Sequence, residues 1–371
     1  MTATTLTYRP YQTGDENRIN DLYRQVFDKN RSLEQWSWEF GRLPEGLAQM
    51  RVLEDGERIV AHAGLIPFRF QYFDREVVAG KFENSMIHSD YRGKKLFGRL
   101  EKECLDQARA AGYGFSWGIS RSAFQAHLSA GYRQICSLRG YFGVLNAAAA
   151  AADLLRVKKI NPLLRPFVRP TLGWLARRMH KRITRTVGAD AGLTISEIER
   201  FDERFDALWN EFAARERVIS LKRTASYLNW RFTENPHRRY RILTAEAGGR
   251  LVGYLVAAVI GRPDLGISLK IGVTADVLVL PGHEAAYSAL LRSGMRGWLS
   301  DGADVIITWV HERGRHAPPL LDALKQYGYL SMRRQFEIPV LARPLGTTVD
   351  EAALCDESNW HLTLAFAGKW A

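Results

Sequence analysis

Arg92, Gly93, Lys94 and Lys95 occupy four consecutive positions just ahead of Leu96, Leu100, Leu105 and Ala108, which recur near helical spacing in this chain of 371 residues. A glycine-bearing basic turn that opens a helix presents free backbone N–H groups and the positive end of the helix dipole. Together they suit an anion, with phosphate the natural ligand. Without one the crowding is unfavourable, since each cation at a helix N-terminus costs roughly 0.3 to 1 kcal/mol. The bland alternative is a solvated basic turn before a surface helix, because a turn motif alone is a weak signal.

To hold that turn, Lys81 to Leu100 must run strand, turn, helix. Upstream, the patterning predicts a strand at 5–10, then an amphipathic helix with Ile19, Leu22, Tyr23, Val26 and Phe27 on one face. A short helix carries Trp36, Trp38 and Phe40 and stops before Pro44, and strands at 50–53 and 58–67 are joined by Asp55-Gly56. A further strand falls within 68–78. Downstream come a strand at 113–119, a short helix near 123–129, and Gly131-Tyr132 leading into a last strand. That order gives a mixed sheet with helices on both faces.

The order returns in the second half. Trp38-x-Phe40-x₃-Pro44 is matched by Trp230-x-Phe232-x₃-Pro236, and Gly56-x-Arg58-Ile59-Val60 by Gly248-x-Arg250-Leu251-Val252, all at an offset of 192. Gly112 pairs with Gly302, and Gly131-Tyr132 with Gly328-Tyr329, at offsets of 190 and 197. The second copy has no basic turn; the strand at 273–280 passes into Pro281-Gly282 instead.

The net charge of +12 resembles a nucleic-acid signal until it is located. Residues 154–188 hold ten Lys or Arg and no Asp or Glu, which leaves 12 − 10 = +2 for the rest, so a dedicated nucleic-acid binder is not expected. Within this segment Leu172, Leu175, Met179 and Ile183 form one stripe, with Arg177, Arg178, Lys181, Arg182 and Arg185 around it. Attachment to an anionic membrane or to an acidic, lipid-linked or nucleotide-linked substrate is the functional reading. An interdomain helix with its stripe packed inward is the plainer one, and such stripes are more often core. Pro162, Pro166 and Pro170 are expected to interrupt any helix before it. No apolar run approaches the roughly 20 residues of a membrane span, and the N-terminus lacks an apolar signal core. A cytoplasmic protein is expected, with contact at the inner membrane surface through 154–188. Cys104, Cys136 and Cys355 lack metal or disulfide spacing.

Tyr91-Arg92-Gly93-Lys94-Lys95-Leu96-Phe97 resembles the coenzyme A pyrophosphate loop of the GNAT N-acetyltransferase superfamily, with Asp90 where Gln or Arg is usual and Lys95 where a second small residue is usual. The duplication extends the resemblance to a tandem GNAT protein with a degenerate second copy. The resemblance implies an α/β fold of two GNAT-like domains, each a mixed, mostly antiparallel sheet flanked by helices. The expected division is 1–145 for coenzyme binding, 146–190 for the connector, 191–345 for the degenerate copy and 346–371 for a tail.

It further implies acetyl-CoA as donor, an amine acceptor on a polar small molecule such as an amino sugar or nucleotide sugar, and no metal. Coenzyme contacts fall on Ile87, His88, Arg92, Gly93, Lys94, Lys95, Leu96 and Phe97. Glu83 would take the acceptor's proton, and His127, four residues before Gly131 where a Tyr is usual, would protonate the leaving thiolate, its ordinary pKa near 6.5 suiting that role. Two alternatives stay open: a transferase of the same fold that uses aminoacyl-tRNA, and a noncatalytic coenzyme binder. His311, Glu312 and His316 lack metal-ligand spacing, and Ser85, Ser120 and Ser122 lack a triad signature.

Overall fold

The computed structural model describes residues 6–94, 96–119, 121, 124–156, 162–184, 192–263 and 266–366. The first repeat runs β1 (Leu6–Pro10), α1 (Glu16–Phe27), α2 (Leu33–Trp36), a π-helical turn (Ser37–Gly41), β2 (Gln49–Asp55), β3 (Arg58–Tyr72), β4 (Arg75–Ile87), α3 (Leu96–Ala110), β5 (Phe115–Ile119), α4 (Phe124–Ser129) and β6 (Arg133–Val144). The connector holds α5 (Ala147–Arg156) and α6 (Arg165–Thr184). The second repeat has β7 (Leu193–Ile198), α7 (Glu203–Arg215), β8 (Ile219–Leu221), α8 (Ala225–Leu228), a second π-helical turn (Asn229–Thr233), β9 (Arg241–Ala247), β10 (Arg250–Arg262), β11 (Ile267–Val279), α9 (Ala285–Ser300), β12 (Val305–Val310), α10 (Ala317–Tyr327), β13 (Leu330–Ser331) and β14 (Ile338–Pro344), followed by α11 (Glu351–Cys355).

The offset of 192 reaches beyond the motifs that revealed it. Strand β2 maps onto β9 and β4 onto β11 residue for residue, and Ser32 and Thr224 each cap their short helices, accepting from the Gln35 and Tyr227 amides. The strands join one sheet in the order β1-β2-β3-β4-β5-β14-β6-β12-β11-β10-β9-β7. The two repeats therefore trade their last strands. β14 pairs with β5 on one side and β6 on the other, while β6 continues onto β12. The exchange merges the cores: Trp36, Phe70 and Trp117 share one buried cluster with Trp209, Trp360 and Phe366.

Two expectations change. Residues 58–67 and the start of 68–78 form the single strand β3, which runs through Pro67 to Tyr72, and the turn comes at Phe73. Proline is tolerated there because β2 stops pairing at Leu65 and β8 starts at Phe70, so one side of β3 needs no N–H at that point. In the connector Pro166 and Pro170 lie inside α6 rather than before it. Pro166 sits in the first turn, whose N–H groups have no helical acceptor, whereas Pro170 removes one interior bond.

Candidate functional site

Strand β4 runs beside β5 only over Ala79–Lys81 against Phe115–Trp117. Beyond that it stays with β3 up to Ile87, while β5 leaves with β14. The strands splay, opening a wedge lined by the last third of β4. Within it the β3–β4 register slips between His62 and Gly64, and Asn84 takes φ 50°, so the strand bulges. His62, fully buried, holds the bulge through a 3.0 Å contact between its Nδ1 and the Asn84 carbonyl.

The predicted turn closes the wedge. The Tyr91 hydroxyl donates to the Asp55 carboxylate, which raises the phenol's pKa, and Arg92 Nε donates to the Ile87 carbonyl at 3.3 Å. Gly93 has φ 76°, yet an added Cβ would meet nothing within 4 Å. Glycine is thus needed for the backbone angle and not for space. Among the described residues the Gly93 and Lys94 amides donate to nothing, just ahead of the orphan amides of α3. Lys94 Nζ lies 5.0 Å from the Tyr91 ring centroid.

The other expected coenzyme contacts divide. Leu96 packs into the core, and Tyr8 donates to its carbonyl at 3.2 Å, so it offers a ligand its amide and not its side chain. The His88 amide donates to the Val60 carbonyl at 2.9 Å, and its ring accepts weakly from the Asp90 amide at 3.4 Å. Lys95 and the Phe97 side chain lie outside the described residues.

Glu83 sits on β4 where the strands part and is paired with buried Lys81. It faces a cavity of about 20 Å³, room for one water, walled by Trp38, Phe68, Trp230 and Arg231. Phe68 and Trp230 also border a wider cleft of about 220 Å³ between the repeats, where Glu45, Arg69, Glu76 and Lys222 form its polar rim. The second repeat therefore supplies part of the wall around Glu83. Its His237 comes within 3.1 Å of Glu39, which also accepts from Arg31 at 2.7 Å and from the bulge residue Asn84 at 2.9 Å.

His127 lies across the wedge on α4, its Nε2 3.4 Å from where a Cβ on Gly118 would sit. Burial, helped by the charge of Lys81, lowers its pKa from the ordinary 6.5. The imidazolium expected to donate at neutral pH is therefore less populated there than an exposed histidine's would be. Lowered basicity makes the imidazolium a stronger acid but leaves less of it to act. His311 and His316 both lie near the buried His361, whose protonation the charge of either would oppose. Each faces its own carboxylate, Glu357 at 3.7 Å and Glu216 at 3.4 Å.

At the equivalent places the second repeat has Ala275 for Glu83 and Leu324 four residues before Gly328. Its turn is shorter, and the Gly282 amide donates to Glu284 Oε1 at 2.8 Å, a bond that lowers the carboxyl's pKa. That turn already holds an anion of its own. Arg31, Glu39 and Asn84 correspond at the same offset to Arg223, Arg231 and Asp276, so the carboxylate that binds the buried arginine has moved from the π-helical turn to the strand. The glycines and aromatics that mark the duplication do not include this set. Carrying the offset upstream to Arg31 and downstream to Asn84 exposes it.

Residues 7–135 match the family model of the acetyltransferase (GNAT) domain. No curated protein matches the chain by sequence. Among solved structures it is similar to a conserved protein of Enterococcus faecalis described as a probable N-acyltransferase (13% identity, TM-score 0.60, 92% of this chain and 73% of that one). It is similar also to a GCN5-related N-acetyltransferase of Anabaena variabilis (12%, TM-score 0.61, 92% and 73%). A tandem GNAT protein from the clavulanic acid biosynthesis pathway matches over 93% of this chain and 100% of its own, at 12% identity and TM-score 0.55. The fold is that of a tandem GNAT protein. The acetyltransferase (GNAT) match is confined to residues 7–135, and the likeness of the rest of the chain to these proteins is one of fold.

Proposed function

We propose that residues 1–145 bind acetyl-CoA and transfer its acetyl group directly to the amine of a polar small molecule, with an amino sugar or nucleotide sugar as the class to test first. The observation that carries this reading is the pair of amides at Gly93 and Lys94, without an acceptor among the described residues, at the mouth of the β4–β5 wedge, set against the self-filled turn at Gly282. Arg92, Lys94 and Lys95 would neutralise the pyrophosphate. Backbone amides along the splayed end of β4, near Ile87, would hold the thioester carbonyl and stabilise the charge that develops on it.

The acceptor enters from the cleft between the repeats, with residues 191–345 shaping that side. Its nitrogen attacks the thioester carbon; the C–N bond forms and the C–S bond breaks. The amine proton passes to Glu83 directly or through the one water its cavity admits. The thiolate takes a proton from the imidazolium form of His127, a form that the lowered pKa makes more acidic and less populated as pH rises. Titration calorimetry with acetyl-CoA tests the reading: one site per chain is expected, abolished by Gly93→Glu, which puts bulk and negative charge in the cradle. Two equivalent sites, or full binding by the variant, would overturn it.

A further inference from the structure

The apolar stripe at 172, 175, 179 and 183 faces inward. Ala176, Met179 and Ile183 are buried, and Met179 lies so close over Gly143 that a Cβ there would come within 2.6 Å of its sulfur. Arg182 reaches the Lys325 carbonyl at 3.3 Å. Helix α6 is therefore fixed to the body of the protein and cannot roll its outer side inward.

That outer side is apolar too. Leu163 is 80% exposed, Phe167 65% and Trp174 51%, with Leu164 beside them. Among the described residues, five of the eleven exposed large hydrophobics fall within 154–174, so the exposure is concentrated rather than scattered. Positions 167, 171, 174 and 178 follow steps of three and four, which places Phe167 and Trp174 on one line that continues into Arg178. The Arg178 guanidinium lies 5.1 Å from the Trp174 ring centroid. Arg165, Arg169, Arg177 and Lys181 are exposed around the ridge, and the helix has no Asp or Glu.

We propose that this ridge docks the protein on an anionic lipid bilayer. The Leu and Phe side chains would enter the boundary between headgroups and acyl chains, Trp174 would sit at headgroup level, and the guanidinium groups would meet lipid phosphates. Charge complementarity favours this occupant: each cation near an acidic membrane surface strengthens attachment roughly fivefold. A nucleic acid would match the cations but leave Leu163 and Leu164 in water.

The test uses the full chain with phosphatidylcholine vesicles made with and without phosphatidylglycerol. At low salt the protein should sediment with the acidic vesicles and not with the neutral ones, and high salt should release it. Phe167→Ser with Trp174→Ser, and separately Arg177→Gln with Arg178→Gln, should each weaken sedimentation by roughly tenfold or more. Both pairs are exposed, so thermal melting should be unchanged. Failure to bind acidic vesicles overturns the proposal, as does equal binding by the variants. It falls also if the serine pair abolishes only a dimer of the chain, or if RNA is bound in place of vesicles.

Discussion

The indole N–H of Trp38 donates to the carbonyl of Trp230 at 2.7 Å, and the indole N–H of Trp230 donates back to the carbonyl of Trp38 at 3.1 Å. Their rings stack with centroids 5.0 Å apart and planes 18° from parallel. Residues equivalent by duplication thus make the same bond to each other, as across a two-fold axis. Both indoles also wall the cavity before Glu83, so the axis passes close to the proposed chemistry.

Trp38→Ala should cost about 3 to 5 kcal/mol, through lost burial and a carbonyl left without its donor. Urea unfolding followed by circular dichroism measures it. A loss below about 1 kcal/mol would mean that the stack closes the cavity without holding the repeats together.

Glu83→Gln should lower kcat by roughly 10² or more while leaving acetyl-CoA affinity as it was. Turnover with saturating acceptor, beside coenzyme calorimetry, separates the two. An unchanged kcat with a raised KM would move Glu83 from proton transfer to acceptor binding.

If His127 supplies the thiolate's proton, rate falls as pH rises through its lowered pKa, so the alkaline limb of the profile lies below 6.5. His127→Tyr, with an ordinary pKa near 10, should move that limb upward, and His127→Ala should cost roughly 10² in kcat. A profile identical in all three proteins assigns the donor to water.

Burial, with Arg31 adding to it, holds His62 at a pKa of about 4 against an ordinary 6.5. The unfolded chain therefore binds the proton more readily than the folded one between these values. Stability is fully present above 6.5 and is lost as pH falls toward 4, by up to about 3 kcal/mol from this group. His62→Gln should flatten that part of a stability profile taken by urea titration at stepped pH. An equal acid loss in the variant would place the effect elsewhere.

The elements that carry periodic apolar residues were legible in the sequence, as were the basic turn and the duplicated glycines, since each depends on residues within one or two turns of chain. The Glu39 cluster was not. Its members come from positions 31, 39, 84 and 237, and only the fold brings them together. The strand exchange was hidden for a related reason: β6 and β14 read alike as last strands, and nothing local says which sheet each one enters. The lowered pKa of His127 depends on burial and on Lys81, neither of which its neighbours in sequence reveal.

The exchange also makes the second repeat a necessary part of the first. Without β14 the first repeat would have an empty slot between β5 and β6, and without β8 the far end of β3 would lose its neighbour. The second repeat is thus a structural subunit in cis for the first, its outline fixed by the strands it lends.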